Sequence, residues 1–219
     1  MTQTLPGALD HQKLFATNIF VGDNFINSLK GPVYNDDLIQ GMKKYIEKLW
    51  SKRNKSHSNF QTDSFLYNEK EFQPLAELIL HHNLHNMKHL EYNVQLEDLV
   101  MSGMWANVLA PGEMHRAHTH SNNIWSGVYY LYSDGKAEII FQDPRPAADV
   151  LVPRKTKNGH YNSNLMIYAS KTNRAIMFPS WLMHWVNINT SKSNRISISW
   201  NIHIKGQMGE HHDLQSAIY

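Results

Sequence analysis

The chain has 219 residues, of which 42% are hydrophobic and 18% are charged, and its formal net charge is +2. This length suits one domain with a substantial core, since domains commonly span about 100–200 residues. Because the sequence contains no cysteine, disulfide bonds and thiolate metal sites are excluded. The lysines and arginines are scattered, which argues against a nucleic-acid partner. No apolar run approaches about 18 residues, so we expect no membrane partner.

The first half of the chain is predicted to be mainly helical. Apolar residues repeat at helical spacing over residues 36–52, and a second helix is predicted from Phe72 or Pro74 to His89. The polar segment 51–68 between them is predicted to be a loop. We expect a single domain over 1–219, with helical support to about residue 95, a catalytic core over about 96–205 and a tail over 206–219.

The second half consists of short apolar runs broken by Gly, Pro, Asn and Asp, which is typical of strands. Eight antiparallel strands are the number that a jelly roll requires. We therefore predict an α+β protein with a cupin-like double-stranded β-helix and supporting amino-terminal helices. The predicted strands cover residues 104–109, 116–120, 125–132, 137–141, 165–169, 175–178, 184–188 and 195–204.

The last predicted strand has two different faces. Arg195, Ser197, Ser199 and Asn201 fall on one face, and four apolar residues fall on the other. In an ordinary antiparallel sheet the polar face meets water. In a jelly roll it would instead line an internal pocket, and the apolar face would pack against the helices.

A histidine motif precedes that strand. His118 and His120 are one residue apart, so on a strand they point to the same side and can share a metal ion. His184, from a distant strand, would complete one face of an octahedron and leave three positions open, as in mononuclear non-haem iron oxygenases. The fork of donors on Arg195 suits the far carboxylate of a dicarboxylic acid, and Ser197 shares its face. Taken singly, these residues are equally typical of ordinary strand positions.

Several segments resemble the 2-oxoglutarate/Fe(II)-dependent oxygenases, within a bacterial and phage branch that carries a His-x-His…His motif. The resemblance covers roughly residues 12–205, with a weaker match at LFATNIF (14–20). Its most specific part is the ordered set His-x-His, Pro-Ser-Trp-Leu-x-His and Arg-x-Ser. The matching segments are WANV (105–108), HRAHTHSNNIWSGVYYL (115–131), FQDPR (141–145), FPSWLMHWV (178–186) and RISISWNI (195–202).

The resemblance implies a hydroxylase that couples oxidative decarboxylation of 2-oxoglutarate to succinate and CO2. It implies that His118, His120 and His184 are the catalytic Fe(II) ligands, with 2-oxoglutarate and O2 as the other cofactors. It also implies that 2-oxoglutarate meets Arg195 and Ser197, and we add one strand tyrosine, Tyr130, and Asn201 to its predicted contacts. A cytoplasmic location, in a bacterium or a phage-infected host cell, is expected.

Most members of the superfamily carry Asp or Glu where this chain has His120. This departure keeps two alternatives open: a three-histidine cupin-type dioxygenase that does not use 2-oxoglutarate, and a non-catalytic metal- or sugar-binding jelly roll. The substrate is expected to be a small molecule or a peptide. A homodimer is also left open, because Trp50, Trp181 and Trp185 could form a dimer contact as readily as part of the core.

Three further features are interpreted from their position alone. His115 lies at odd separation from the histidine pair and is predicted to point away from the metal. The long segment 142–164 is predicted to border the substrate entrance, unless it is a surface loop without a role. His81, His85 and His89 recur at four-residue spacing and are predicted to form a solvated or partly packed helix face.

Overall fold

A computed structural model describes residues 14–28, 32–53, 59–145, 147, 150–210 and 214–219 of the chain. Its two α-helices are α1 (Pro32–Ser51) and α2 (Gln73–His89). Its strands are β1 (Phe20–Asp23), β2 (Phe60–Gln61), β3 (Leu99–Leu109), β4 (His115–His118), β5 (Trp125–Tyr132), β6 (Ile139–Gln142), β7 (Leu165–Tyr168), β8 (Arg174–Pro179), β9 (His184–Val186), β10 (Arg195–Ile204), β11 (Gln207–Met208) and β12 (Ala217–Ile218).

Both predicted helices are present. The first begins at Pro32, four residues before the predicted start, and the second has Pro74 in its first turn, where a missing backbone N–H costs nothing. The predicted loop between them contains the two-residue strand β2 and a 3-10 turn at Leu66–Asn68. We find no helix among the described residues that is long and apolar enough to cross a membrane.

The eight predicted strands correspond to β3 through β10. Among the described residues, the larger sheet has the order β1-β8-β5-β10-β3-β2 and the smaller one β4-β9-β6-β7, and every pairing is antiparallel. Residues of both sheets line one common cavity, so the sheets face each other. This is the predicted double-stranded β-helix. The start of β3 differs most, at Leu99 rather than 104, and three other boundaries differ by two residues: β4 ends at His118, β6 begins at Ile139 and β9 ends at Val186.

The two faces of β10 separate as the jelly-roll interpretation requires. Ile198 and Trp200 belong to the main hydrophobic core, together with Ile46 of α1 and Leu75 of α2. Arg195, Ser197 and Ser199, on the other face, line the cavity. The helices therefore cover the apolar face of the larger sheet and leave its polar face to the interior of the barrel.

Two segments outside the barrel differ in regularity. The predicted tail contains a two-stranded hairpin, in which Gln207 pairs with Ile218 and Met208 with Ala217. The described part of 143–164 contains neither helix nor strand, and it lines a separate cavity of about 430 Å³. None of its described residues lines the cavity between the sheets, so the structure gives no support to its predicted place at the entrance.

Close packing between β5 and β10 requires a glycine. A Cβ built on Gly127 would lie 2.1 Å from Cζ2 of Trp200, whose indole is buried in the main core. We expect Gly127→Ala to lower the free energy of unfolding by about 1–3 kcal/mol, because the indole must leave its place. Urea unfolding measures the difference. Gly159→Ala, where no heavy atom lies within 4 Å of the new Cβ, is the control and should change stability little.

Candidate metal centre

The cavity between the two sheets has a volume of about 540 Å³, within the usual range for small-molecule sites. Its lining combines imidazoles, guanidinium groups, side-chain amides and an apolar wall. The lining residues are Asn59, Gln61, Trp105, Asn107, His115, Arg116, Ala117, His118, His120, Gly127, Val128, Tyr130, Ile139, Phe178, His184, Val186, Arg195, Ser197 and Ser199.

Three histidines of this lining form one group. Candidate ligand nitrogens of His118, His120 and His184 all lie within 4.8 Å of one another. His118 and His184 are cross-strand partners on β4 and β9, which brings their ring centroids to 4.3 Å. His120 follows β4, and its backbone N–H donates to the Ser180 carbonyl oxygen at 2.9 Å. The structure thus assembles the three predicted ligands, and their role as ligands stays a prediction.

Hydrogen bonds define which ring nitrogen is available in two of these histidines. Nδ1 of His118 lies 2.7 Å from the Arg116 carbonyl oxygen, and Nδ1 of His184 lies 2.8 Å from that of Leu182. Because a carbonyl oxygen only accepts, Nδ1 must carry the proton in each ring. The lone pair is then on Nε2, and such a backbone contact is the usual support of a metal-bound histidine.

Burial keeps the imidazoles of His184 and His120 neutral, which is the metal-binding form. It lowers the pKa of His184 to about 3, although the hydrogen bond to Leu182 opposes the shift. Burial, and then the neighbouring charge of His118, lowers the pKa of His120 to about 4. A set of three imidazole nitrogens fits a divalent first-row metal.

The imidazole of His120 is positioned by contacts with two other rings. The ring centroids of Trp105 and His120 lie 5.7 Å apart. The His184 ring stacks on the His120 ring, with a centroid distance of 5.2 Å and an interplanar angle of 21°. Trp105 is not among the predicted site residues, because its contact with His120 depends on the path of the chain after β4, which periodicity does not predict. Only its place in the WANV segment pointed to it.

The second functional group of the cavity is a buried cation. Arg195 is 3% exposed and donates from Nη1 to the Ala137 carbonyl oxygen at 3.1 Å and from Nη2 to Ser197 Oγ at 3.3 Å. Its Nε has no hydrogen-bond partner in the part of the chain that the structure describes. None of the ion pairs found among the described residues includes Arg195. Burial lowers the pKa of Arg195 from its ordinary value, which reflects the cost of an isolated charge.

The three tyrosines of β5 have different surroundings. Tyr130 lines the cavity, with the Arg195 guanidinium carbon 5.5 Å from its ring centroid, and its buried hydroxyl has no hydrogen-bond partner among the described residues. Burial raises its pKa to about 12, so the hydroxyl remains a donor. Tyr129 belongs to the main core on the opposite face, and Tyr132 is 40% exposed beneath Lys43. The structure therefore selects Tyr130 as the tyrosine next to Arg195.

Asn201 does not line the cavity. Its Oδ1 accepts a hydrogen bond from Ser126 Oγ at 2.8 Å, and Ser126 is also bonded to Ser180. This side-chain network connects β5 and β10 at the far end of the strand pair. The structure therefore does not bring the Asn201 side chain, a predicted co-substrate contact, next to Arg195 and Ser197.

His115 differs from its expectation. It is not part of the three-histidine group, as predicted, but it lines the cavity instead of facing away. The cause is a register irregularity between His115 and His118, which breaks the simple two-residue alternation. Burial, and then the charges of Arg195 and His118, lowers the pKa of His115 to about 4.

Comparison with known proteins agrees with this site. Residues 103–201 match a family model described as "Putative 2OG-Fe(II) oxygenase". The resemblance to the 2-oxoglutarate/Fe(II)-dependent oxygenases is confirmed. The matched segment contains His118, His120, His184 and Arg195. No sequence among the curated proteins matches the chain significantly.

Three solved structures share the fold of this chain at low sequence identity. HygX from Streptomyces hygroscopicus, with nickel and 2-oxoglutarate bound, is 11% identical with a TM-score of 0.58, covering 97% of this chain and 96% of that one. A Pseudomonas putida prolyl-4-hydroxylase is 11% identical with a TM-score of 0.58, covering 88% and 96%. The α-ketoglutarate-dependent epimerase SnoN from nogalamycin biosynthesis is 8% identical with a TM-score of 0.56, covering 90% and 81%. These likenesses establish the fold.

The lowered pKa of His184 predicts an acid-sensitive metal-free protein. Between its ordinary value of 6.5 and about 3, the unfolded chain binds a proton that the folded chain does not, so stability falls as pH drops below 6.5. One such group contributes on the order of 1.4 kcal/mol per pH unit. Urea unfolding with a chelator, from pH 7 to pH 5, should show a shallower pH dependence for His184→Gln. Equal slopes for both proteins would contradict the burial argument.

Proposed function

We propose that this protein is an Fe(II)- and 2-oxoglutarate-dependent oxygenase that hydroxylates a small-molecule or peptide substrate and releases succinate and CO2. The observation that carries the proposal is the buried Arg195 guanidinium, which shares a cavity with the three grouped imidazoles and has no carboxylate partner among the described residues. A metal-binding jelly roll that binds no anionic co-substrate would not explain why Arg195 is buried beside the histidines.

A buried charge without a counter-ion is costly, and proteins rarely keep one without a ligand to meet it. The guanidinium is anchored at Ala137 and Ser197, so it is held in place before any ligand arrives. Its planar fork suits a carboxylate. A dicarboxylate that reaches from the histidines to Arg195 would neutralise this charge.

The residues have separate roles in the proposal. His118, His120 and His184 would hold the metal, and Arg195, Ser197 and Tyr130 would bind the far carboxylate of 2-oxoglutarate. When bound, Fe(II) with 2-oxoglutarate and O2 supplies oxidative decarboxylation and the oxidising power for a substrate C–H bond. The neutral Tyr130 hydroxyl would donate its hydrogen bond to the carboxylate beside Arg195.

The apolar side of the cavity contributes by excluding water. Val128, Ile139, Phe178 and Val186 line it opposite and beside the histidines, and each is buried. Phe178 also packs on His184, with ring centroids 4.6 Å apart. A dry wall strengthens the charge interaction with Arg195 and limits side reactions of reactive species with water.

Hydroxylation is the default outcome of the proposal, and product analysis tests it. Structures with this fold include a prolyl hydroxylase and an epimerase, so the fold accommodates more than one reaction. HygX with nickel and 2-oxoglutarate supports the choice of co-substrate. The substrate itself has to be found by screening for succinate release.

The co-substrate assignment predicts an optical signal. Anaerobic addition of Fe(II) and then 2-oxoglutarate should produce a weak charge-transfer band in the visible region. Arg195→Ala should retain stoichiometric iron but need at least about tenfold more 2-oxoglutarate for the band, since a charged hydrogen bond contributes about 1.5–3 kcal/mol. The exposed Arg154→Ala is the matched control. An unchanged 2-oxoglutarate requirement in Arg195→Ala would show that another residue binds the carboxylate.

One observation favours a second candidate, a three-histidine cupin-type dioxygenase that does not use 2-oxoglutarate. His120 stands in the position where most members of the superfamily have a carboxylate, and the structure places it beside the other two histidines. Stoichiometric iron without the band on adding 2-oxoglutarate would select this candidate. The search would then turn to substrates that chelate iron themselves.

The ligand set predicts different effects at its three positions. His118→Ala and His184→Ala should each abolish metal binding at stoichiometric Fe(II) and nearly all turnover. His120→Asp should retain metal and 2-oxoglutarate-dependent succinate formation, because a carboxylate is the usual ligand at that position of the superfamily. Metal content and succinate release are measured on the same samples. Loss of iron from His120→Asp, with an unchanged unfolding midpoint, would mean that the site requires an imidazole there.

A further inference from the structure

The part of the cavity beyond the histidines and Arg195 has its own chemistry. Gln61, Trp105, Asn107 and Arg116 line it, and we call these four residues the outer subsite. It contains two side-chain amides, one indole and one guanidinium. None of the described residues that line the cavity is Asp or Glu.

Strand register positions the outer subsite relative to the proposed co-substrate. Gln61 pairs with Asn107, Asn107 with Ser197, and Ser197 with Tyr130, so these four residues form a row across β2, β3, β10 and β5. Since strands lie about 4.8 Å apart, Gln61 is about 10 Å from Ser197 along the row. The row therefore begins beside Arg195 and ends at the β2 edge.

Trp105 brings the outer subsite to the metal ligands. It lies two residues before Asn107 on the same face of β3, and its indole contacts the ring of His120. A molecule that rests on the indole and the amides would thus lie next to the three histidines, on the side away from Arg195. This is the position that a substrate of the proposed oxygenase must occupy.

The edge strand β2 is fixed where it contributes to the subsite. The Asn59 backbone N–H donates to Glu113 Oε1 at 2.9 Å, and Asn59 Nδ2 donates to the Met114 carbonyl oxygen at 2.8 Å. Glu113 also accepts from the Ala110 backbone N–H at 2.7 Å, so its carboxylate is already engaged. These bonds connect the segment before β2 to the segment before β4. The amide of Gln61 makes no hydrogen bond with the described residues.

Arg116 supplies the charge of the outer subsite. It lies on the edge strand β4, where its carbonyl oxygen accepts the hydrogen bond from His118, so its backbone position is fixed next to the metal ligands. Its side chain is exposed and makes no ion pair or hydrogen bond with the described residues. Arg195 is assigned to the co-substrate, so Arg116 is the other cavity-lining arginine that can bind an anionic group of a second molecule. A cavity lined by two cations and no carboxylate repels cationic molecules and attracts anions.

We propose that the substrate is a small polar anion whose carboxylate or phosphate meets Arg116, while an amide or hydroxyl group bonds Gln61 and Asn107 over the face of Trp105. This inference rests on the proposed function, since the atom to be oxidised must lie beside the histidines. Side-chain amides both donate and accept, so they recognise amide and hydroxyl groups. The indole provides an apolar surface for the carbon skeleton.

The test compares matched compounds that differ in charge. N-acetyl amino acids are anionic, the corresponding N-acetyl amino-acid amides are neutral, and simple amino-acid amides are cationic. Aldose phosphates and free aldoses form a second matched series, which distinguishes a phosphate from a carboxylate. Binding is followed by tryptophan emission of the metal-free protein, with Trp105→Phe as the reference that isolates the signal of the subsite. Succinate release then gives kcat and KM for the compounds that bind.

Anionic compounds of one series should bind, and their neutral and cationic counterparts should bind at least about tenfold more weakly. Arg116→Ala should weaken binding of the anions by a similar factor and raise their KM with little change in kcat, so that the preference for anions disappears. Arg116→Lys should restore part of this preference. Arg154→Ala, an exposed arginine outside the cavity, should keep the wild-type preference.

Equal or tighter binding of neutral or cationic compounds would overturn the proposal, as would an anion preference that survives Arg116→Ala. Failure of every anionic compound to bind, in a preparation that forms the band with Fe(II) and 2-oxoglutarate, would overturn it and leave the proposed function intact. Absence of that band in the wild-type protein would instead overturn the proposed function.

Discussion

The two-residue alternation along β10 is the constraint on which the rest of this structure depends. Its apolar residues are buried against α1 and α2. Its polar residues therefore face the interior of the barrel. A strand with both faces apolar would fill the barrel, and one with both faces polar would not hold the helices. The close contact of Trp200 with Gly127 shows how tightly the neighbouring strand follows this arrangement.

The electrostatics of the cavity follow from that arrangement. Burying Arg195 is unfavourable by itself, but its charge also disfavours protonation of nearby His115, as burial does for His120 and His184. The same cation that suits a carboxylate thus adds to the effect of burial in keeping His115 neutral. A site of this kind prefers metals and anions over protons across the neutral pH range.

The sequence predicted those features that depend on local periodicity. The eight barrel strands and the polar face of β10 follow from period-two alternation, and the ordered histidine motif predicted the grouping of His118, His120 and His184, although His120 lies just after β4. Features set by pairing could not be predicted. The irregularity in β4 turns His115 into the cavity, and β2 is too short to give a periodic signal of its own. The amide of Asn201 is directed to Ser126 by a network that joins three segments.

The strand β2 lies outside residues 103–201, the segment that matches the oxygenase family. The three histidines and Arg195 lie inside that segment, whereas Gln61 enters the cavity from the helical half of the chain. Mutations near residue 60 can therefore alter which molecules enter the cavity while the residues that would activate oxygen stay unchanged. Part of the cavity lining can therefore change in sequence independently of the three-histidine group.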